Sequence, residues 1–426
     1  MSTRLSKGGR LINRSKPVEF SFDGKRLNGY EGDTLASALL ANNQTLVGRS
    51  FKYHRPRGIV ASGPEEPNAL VGLGKGDKFE PNQRATTTEL FDGLHSNSQN
   101  AWPSLEFDIG GVNRIMSRVF PAGFYYKTFI FPRFAWKHIF EPIIRKAAGL
   151  GAAPTEKDAD KYEYFYAHVD VLIIGGGTSG LAAALEVGRS GAKVLVLEQK
   201  NTWGGRAPVD GVFIDNQISE EWIDDAITEL QSMPNVTLKN RTMGAGVYDH
   251  GWATGYESIT DHIPGKKGPR QRLWRIRAKR ILTTTGAIER PLSFAGNDLP
   301  GVMLAGSVRD YLVDFGTSCG DIMVLATNND DAYRTAIKQS EVGLKVAAIL
   351  DARTSVTGEL PNKAREMGIR VETGMAISKV KGSKSVSGVS ICLQAGEGVP
   401  LEEIKCDVVA MSGGWSPIVH LWSHCG

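Results

Sequence analysis

Residues Val169–Glu198, VDVLIIGGGTSGLAAALEVGRSGAKVLVLE, decide the fold of this chain. Residues 169–174 are mostly β-branched and predict a strand buried on both faces, and the glycine-rich string 175–180 follows directly. Residues 181–190 have the composition of a helix, and residues 193–197 predict a second buried strand that ends at the acid. Because strand, glycine turn, helix, strand and acid stand in this order, the stretch is typical of a dinucleotide-binding fold.

Each glycine of the turn has a predicted role in binding a pyrophosphate. Gly175 allows a tight turn, Gly177 lets the backbone approach the phosphates because it has no Cβ, and Gly180 lets the helix pack close to the strand. The helix N-terminus offers free N–H groups and the positive end of a dipole. Glu198 can accept hydrogen bonds from an adenosine ribose, and its carboxylate would repel a 2′-phosphate, so NAD or FAD is favoured over NADP.

Length and composition are those of a globular protein with two or three domains. The 426 residues carry 50 Lys and Arg against 46 Asp and Glu, and a net charge of +4 does not indicate a nucleic-acid partner. The four cysteines, Cys319, Cys392, Cys406 and Cys425, lack the spacing of a metal or redox motif, so we expect no metal site. No apolar stretch is long enough to cross a bilayer and the N-terminus lacks a secretory core, so we expect a cytoplasmic location without membrane contact.

Residues 1–95 predict a β-grasp, ferredoxin-like N-terminal domain. Residues 18–30 are typical of a hairpin with an Asp-Gly turn, and Asp33 is placed to cap a helix over residues 34–41. A glycine-rich basic loop, residues 48–71, follows the helix.

That loop holds the densest basic cluster of the chain, formed by Lys52, His54, Arg55 and Arg57 beside Phe51 and Tyr53. The cluster either contacts an anionic cofactor or partner, or it is a solvated or interface loop. His54 is interpreted as structural, because no second metal ligand lies at a useful spacing. The loop offers Ser62 and Gly63 but no cysteine, so it cannot ligate an iron–sulfur cluster.

Residues 96–165 are predicted to be an aromatic-rich linker. Six of the sixteen Phe residues lie in residues 120–140, where Pro121 and Pro132 would break any long helix. A membrane-surface helix is one interpretation. We favour a linker that packs against the domains or against a partner subunit.

Residues 166–426 predict an oxidoreductase-like region that contains two dinucleotide-binding (Rossmann-like) units, so the whole chain is of the α/β class. In the second unit, about residues 318–380, Ala326, Asn328 and Asp331 stand where the glycines should be, and their side chains would obstruct a pyrophosphate. This unit is expected to keep the fold without the ligand. A helix should follow the last predicted strand, and because too few residues remain for it, we expect the chain to be truncated.

Three further turns are predicted to face the cofactor of the first unit. Their residues are Gly205 and Arg206, Thr285 and Gly286, and Ser412 and Gly413. The first turn follows the acid, and the second follows two predicted strands, residues 273–277 and 280–284. The third ends a buried strand, residues 405–411, that is expected to return to the first sheet.

Several strings are more specific than any dinucleotide motif: GDTLASALLAN, GRSFKYHRPRG, GPEEPNALV, SQNAWPSLEFD, FPAGFYYKTF, AAGLGAAPTE, TGAIERP, LPGVMLAG and NNDDAYRTA. Through them the chain resembles the alpha subunit of heterotetrameric sarcosine oxidase over essentially its whole length. The resemblance implies a ferredoxin-like domain without a cluster and an NAD-binding middle region of the pyridine-nucleotide oxidoreductase type. It also implies a C-terminal half that binds tetrahydrofolate, which this sequence lacks.

The resemblance further implies how the complex works. The partners would be beta, gamma and delta subunits, and the beta subunit would carry FAD and oxidise sarcosine to glycine. FMN at the interface of alpha and beta would pass electrons to oxygen and give hydrogen peroxide. The one-carbon unit would leave as formaldehyde or as methylene-tetrahydrofolate, and this chain alone would have no catalytic residue and no activity.

By position in the motif, the dinucleotide contacts are expected at Gly175, Gly177, Thr178, Ser179, Gly180, Glu198, Gln199, Lys200, Gly205 and Arg206. Lys200 and Arg206 are basic near the adenosine end, which weakens the argument against a phosphate there.

Three other interpretations stay open. The chain could be a subunit of a related amine or opine dehydrogenase, which shares the scaffold and differs in substrate. It could be a stand-alone FAD-dependent oxidoreductase of the disulfide-reductase type, although it lacks the cysteine pair that should follow the first acid. It could also be a scaffold without a ligand, against which the intact first motif argues.

Overall fold

The computed structural model describes residues 2–115, 123, 129, 131–147, 151–263 and 265–425. The chain forms two compact units. Unit 1 comprises Met1–Asp158 and Arg290–Gly414, and unit 2 comprises Ala159–Glu289 and Trp415–Gly426. No helix within the described residues is long and apolar enough to cross a membrane.

The strands that the structure describes are, in chain order, β1 (Asn13–Phe22), β2 (Lys25–Glu31), β3 (Gly48–Arg49), β4 (Pro56–Arg57), β5 (Leu70–Leu73), β6 (Glu80–Arg84), β7 (Leu94–Asn97), β8 (Tyr162–Ile174), β9 (Val194–Leu197), β10 (Phe213–Ile214), β11 (Gln217–Ile218), β12 (Val236–Lys239), β13 (Thr242–Tyr248), β14 (Trp252–Ser258), β15 (Gln271–Thr283), β16 (Ala287–Glu289), β17 (Val302–Leu304), β18 (Ile322–Thr327), β19 (Lys345–Asp351), β20 (Val371–Thr373), β21 (Met375–Gly382), β22 (Val386–Leu393), β23 (Glu402–Ile404), β24 (Val408–Ser412) and β25 (Trp415–Pro417).

The helices in the same residues are α1 (Leu35–Ala41), α2 (Val112–Ile115), α3 (Arg133–Ala135), α4 (Glu141–Ala147), α5 (Thr178–Arg189), α6 (Ala207–Asp210), α7 (Ser219–Ser232), α8 (Ala305–Phe315), α9 (Tyr333–Glu341) and α10 (Glu359–Glu366). Short 3-10 turns lie at Gly76–Lys78, Ile109–Gly111, Asp249–Gly251 and Trp422–Cys425, and a π turn lies at Trp136–Phe140.

The N-terminal region of unit 1 is a five-stranded sheet in the order β2-β1-β7-β5-β6. The predicted hairpin is confirmed, because β1 and β2 pair antiparallel from Phe22↔Lys25 outward across the Asp-Gly turn. The predicted cap of α1 was wrong by one residue: Thr34, with Ser37, forms the capping box. Asp33 instead accepts a hydrogen bond from the Ser37 hydroxyl at 2.6 Å, since a hydroxyl can both accept and donate at this turn.

A single hydrophobic core joins this sheet to the C-terminal part of unit 1. It contains Phe20, Phe22 and Leu39 together with Tyr311 and Tyr333, and all five are at most 2% exposed. The ferredoxin-like region therefore shares its core with residues far along the chain. The predicted boundary at residue 95 stays a prediction.

The C-terminal part of unit 1 contains a parallel sheet in the order β17-β24-β18-β19-β20. It includes the predicted second strand–helix–strand unit, formed by β18, α9 and β19. The expectation that the strand after residue 405 returns to the first sheet was wrong, because β24 pairs with β17 and β18. All five residues of β24 are buried, and a strand buried on both faces suits the centre of either parallel sheet.

Unit 2 is built on a six-stranded sheet in the order β12-β9-β8-β15-β14-β13. Strands β8 and β15 pair in parallel from Tyr162↔Gln271 to Ile174↔Thr283. The two strands predicted over residues 273–277 and 280–284 form the single strand β15. The predicted linker is only partly covered, because residues 116–122, 124–128, 130 and 148–150 lie outside the described residues.

Candidate dinucleotide-binding site

The glycine turn after β8 is shaped by two glycines that the protein itself requires. Gly175 has φ +112°, and a Cβ there would collide with the carbonyl oxygen of Thr284. A Cβ on Gly180 would collide with the carbonyl oxygen of Gly175 and would lie 2.8 Å from the Thr284 hydroxyl. The close packing of helix on strand that the sequence predicts for Gly180 is therefore present.

Gly177 differs from these two glycines, because the fold leaves room for a side chain there. Its φ is −71°, which any residue adopts. The nearest atom to a Cβ built on it is the Cα of Gly205, at 3.9 Å. No contact within the described protein requires glycine at this position. A ligand that approached the backbone closely would require it.

Helix α5 begins at this turn, and its N-cap residue makes no side-chain hydrogen bond to its first N–H groups. Gly177 is its N-cap and forms no side-chain cap. The first intrahelical bond at the turn runs from the Leu181 N–H to the Gly177 carbonyl at 2.9 Å, so the N–H groups of Thr178, Ser179 and Gly180 precede the ladder. A twelve-residue helix adds its positive dipole end at the same place.

Glu198 lies directly after β9, and its side chain is fixed by two backbone groups. Its carboxylate accepts the N–H of Gly176 at 2.7 Å and the N–H of Lys200 at 2.8 Å, one on each oxygen. The residue is 8% exposed. Since each carboxylate oxygen has two lone pairs, Glu198 retains the capacity to accept ribose hydroxyls. Gln199 and Lys200 follow it and are exposed.

The second glycine turn lies against the first. The Gly204 N–H donates to the Gly176 carbonyl at 2.8 Å, and Gly205 adopts φ +63° beside Gly177. The Arg206 guanidinium lies 5.0 Å from the centre of the Trp415 ring and forms an ion pair with Asp210 at 3.3 Å. The structure thus brings both predicted glycine turns together beyond the C-terminal ends of β8 and β9.

The end of β15 contributes a residue that the sequence reasoning missed. The Thr284 hydroxyl is within hydrogen-bonding distance of the Gly175 carbonyl at 2.8 Å and the Ile174 carbonyl at 3.1 Å. Thr285, which was predicted, donates to the Ile418 carbonyl at 2.8 Å instead. The parallel register of Thr283 with Ile174 places Thr284 beside Gly175, so pairing the two strands in the sequence would have found it.

Ser412 and Gly413 belong to unit 1, so unit 2 does not contain them. The side-chain amide of Asn329 donates to the Ser412 hydroxyl at 3.0 Å, and the Gly413 N–H donates to the Arg290 carbonyl at 2.7 Å. Ser412 therefore lies beside the loop of the second strand–helix–strand unit, and Gly413 lies beside Arg290. A role for them in contacting the cofactor stays a prediction.

Ion pairs surround the loop of that second unit, one of them with an arginine of helix α8. The buried guanidinium of Arg309 donates to Asp331, 2.9 Å from its carbonyl oxygen and 3.0 Å from its carboxylate. Arg353 joins Asp330 and Asp351, each at 2.7 Å. Of the three positions where glycines were expected, Asp331 therefore takes part in an ion pair.

The loop 60–69 of the ferredoxin-like region is organised around a buried carboxylate. Glu66 is 2% exposed. Its carboxylate accepts four backbone N–H groups, from Val60, Ala61, Asn68 and Ala69, at 2.7 to 3.0 Å. Burial raises the pKa of the Glu66 carboxyl, and the four amide hydrogen bonds oppose that rise.

The basic cluster nearby is largely paired within unit 1. Arg55 and Arg57 both form ion pairs with Asp298, and His54 Nδ1 lies 2.7 Å from the Asp108 carboxylate. The interpretation as an interface loop is the one that these contacts favour. Lys52 lies over the Tyr53 ring at 4.9 Å.

The cysteines do not form a redox centre. Cys319, Cys392 and Cys406 are free and buried, and Cys425 is free and exposed. Burial raises the pKa of Cys406 to about 12 and that of Cys319 further still, so neither is a thiolate at neutral pH. Among the described residues, no group of three His, Cys, Asp or Glu side chains could hold a metal ion.

Two protein families match parts of the chain. Residues 15–101 match a 2Fe-2S iron–sulfur cluster binding domain, and residues 170–251 match the FAD dependent oxidoreductases. The first match does not fit a cluster here, because residues 15–101 contain no cysteine and the loop's amides bind Glu66.

Known proteins resemble the chain over different lengths. The alpha subunit of sarcosine oxidase from Rhizobium meliloti (strain 1021) is 47% identical over 427 residues, which is 100% of this chain and 42% of that protein. An opine oxidase subunit of Agrobacterium tumefaciens (strain Ach5) is 26% identical over 44% of this chain and 37% of that protein. The crystal structure of L-proline dehydrogenase from P. horikoshii superposes with a TM-score of 0.62 at 20% identity, covering 100% of this chain and 64% of that one. The last likeness shows the fold alone, which is a mixed α/β architecture.

Proposed function

The chain belongs to the family of sarcosine oxidase alpha subunits, of whose Rhizobium meliloti member it spans 42% of the length, and we propose that it forms the NAD-binding part of such a subunit. In this proposal it is an oxidoreductase subunit that binds NAD in unit 2 and holds no catalytic residue. Oxidation of sarcosine to glycine, with release of hydrogen peroxide and formaldehyde or methylene-tetrahydrofolate, would take place on partner subunits that carry FAD and share FMN.

The observation that carries the proposal is the environment of Gly177. The fold leaves room for a methyl group there, with the nearest atom at 3.9 Å, so the protein itself gives no reason for glycine, whereas the approach of a pyrophosphate would. The available N–H groups of α5 and the fixed carboxylate of Glu198 flank the same position. A dinucleotide satisfies all three features, with its pyrophosphate at the helix and its ribose at the acid.

The same residues could hold FAD, which is the second candidate. The match of residues 170–251 to FAD dependent oxidoreductases favours it. An FAD enzyme of the disulfide-reductase type would need a reactive cysteine pair, and three of the four cysteines are buried thiols. If the chain binds FAD, the group that accepts electrons from the flavin is therefore not identified in this chain.

One measurement separates the two candidates: the absorbance spectrum of the purified chain, followed by identification of the nucleotide released on denaturation. A colourless protein that releases NAD supports the proposal. A yellow protein that releases FAD contradicts it. The variant Glu198→Gln should release no more than a tenth of the nucleotide, since its amide nitrogen cannot accept hydrogen bonds. The matched control is Glu186→Gln, whose side chain is 79% exposed on α5.

A further inference from the structure

Strands β8 and β15 already pair with each other before β8 reaches its pairing with β9, which begins at Val171. One face of this first part of the two strands is open to solvent. Their register, from Tyr162↔Gln271 to His168↔Arg277, puts alternate residues of both strands on one face. Tyr162, Tyr164 and Tyr166 are 47%, 62% and 59% exposed there. The opposite face carries Trp274 and Ile276, which are buried in the core of unit 2.

Strand β14 continues this exposed surface. It pairs antiparallel with β15, so that Trp252 lies opposite Arg277 and Tyr256 lies opposite Leu273. We call the combined surface the aromatic–arginine face, and its residues are Tyr162, Tyr164, Tyr166, Trp252, Tyr256, Arg275 and Arg277. Tyrosine, tryptophan and arginine are the residue types that dominate the binding energy of protein interfaces.

The two arginines of this face are held in place by its aromatic rings. Arg275 donates to the Tyr166 hydroxyl at 2.5 Å, and its guanidinium lies 4.7 Å from the centre of the Tyr164 ring. Arg277 lies 5.1 Å from the centre of the Trp252 ring and donates to the His250 carbonyl at 2.8 Å. Because their side chains are already ordered, less conformational entropy is lost when they bind a partner.

A cavity of about 560 Å³ lies at the end of this face, and its lining is basic. His168, His250, Arg277, Lys279 and Arg280 line it. Lys279 is paired with Asp170 at 2.7 Å, whereas Arg277 and Arg280 form no ion pair with any residue that the structure describes. Within the described part of the chain, these two positive charges have no carboxylate partner, and they lie beside a row of exposed tyrosines.

We propose that the aromatic–arginine face and its basic cavity bind an acidic segment of a partner polypeptide. Carboxylates of that segment would enter the cavity beside Arg277 and Arg280, and its apolar atoms would cover the tyrosines. A second copy of this chain is a poor occupant, because it would bring like charges together. The inference rests on the proposed function to the extent that the chain is one member of an assembly.

The test uses the complete assembly purified from its source through a tag on this chain. Hydroxyl-radical labelling of Tyr164 and Tyr166 is compared between the assembly and the separated chain, and a photo-crosslinker at position 166 identifies what lies opposite. We expect labelling to fall at least fivefold in the assembly and the crosslink to reach an acidic segment of another polypeptide. The double variant Arg275→Glu, Arg277→Glu should weaken assembly by about tenfold or more, and the loss should shrink at high salt.

The matched control is Lys266→Glu with Lys267→Glu, which reverses two exposed charges of unit 2 outside the face. Equal labelling in the assembly and in the separated chain would overturn the inference while leaving the subunit proposal intact. A crosslink to a second copy of this chain, or one removed by nuclease, would also overturn it. A chain that joins no assembly at all would contradict the subunit role and the inference together.

Discussion

Two loops of this chain present converging backbone N–H groups, and they differ in what those groups face. In the loop 60–69, four N–H groups bind the carboxylate of Glu66, which is part of the protein and is buried. In the turn 175–180, the first N–H groups of α5 have no side-chain cap, and Gly177 keeps the adjoining space free of a side chain. The first loop satisfies its amides internally, whereas in our proposal the second faces a dinucleotide.

A family match and a binding site are therefore separate properties of a loop. The loop 60–69 lies in a region that matches a cluster-binding domain, yet it supplies a carboxylate where a cluster would need thiolates. The loop of the second dinucleotide-type unit is similar in that its carboxylates bind side chains of the protein. Arg309 pairs with Asp331, and Arg353 pairs with Asp330 and Asp351.

The largest expected effect is on the stability of unit 1, through the loop 60–69, whose N–H groups bind Glu66. Glu66→Ala leaves four backbone N–H groups, two of them on buried residues, without their acceptor and should lower the free energy of unfolding of unit 1 by about 4 kcal/mol. Chemical denaturation measures the loss. Glu65→Ala, at the neighbouring half-buried glutamate, is the control and should stay within about 0.5 kcal/mol. Equal effects of the two variants would show that the carboxylate does not organise the loop.

The second effect concerns a glycine that the protein itself requires. Gly180→Ala places a methyl group against the Gly175 carbonyl and the Thr284 hydroxyl, and should destabilise unit 2 by about 3 kcal/mol. Nucleotide release should fall with it, because α5 must move away from the strand. Gly191→Ala is not a neutral control, since its φ of +83° is itself strained. For stability the matched control is Gly177→Ala in the same turn, because a Cβ there meets no atom closer than 3.9 Å.

The sequence was sufficient to predict the elements with strong local signals. The hairpin turn at Asp23 and the first strand–glycine–helix stretch are encoded in short segments. The hydrogen bond from the Gly176 N–H to Glu198 was not predicted. The placement of β24 was wrong, because its buried residues fit any central position of a parallel sheet and only tertiary pairing decides. The four donors to Glu66 lie in a loop without periodicity, so no pattern indicated them.

The third effect concerns Thr284, whose position beside the glycine turn follows from the register of β8 and β15. Thr284→Val keeps the side-chain volume and removes the hydroxyl next to the Ile174 and Gly175 carbonyls, and should lower the stability of unit 2 by about 1 kcal/mol. Nucleotide affinity should fall a few-fold, because the glycine turn loses the hydroxyl that hydrogen-bonds to its backbone carbonyls. Titration of the purified chain with the nucleotide it releases measures the change. If stability and affinity are both unaltered, the hydroxyl plays no part in shaping the turn.

The smallest expected change in stability is also the sharpest test of the difference between the two loops. Gly177→Ala introduces a methyl group where φ is −71° and the nearest atom is 3.9 Å away, so the unfolding free energy should change by less than about 1 kcal/mol. Nucleotide release should nevertheless be lost, because that methyl group would occupy the space through which the pyrophosphate approaches the backbone. Thermal unfolding and nucleotide analysis of the same preparation give both values. A variant that keeps its nucleotide would mean that the turn 175–180 is not the binding site, and that its open amides are a feature of the fold alone.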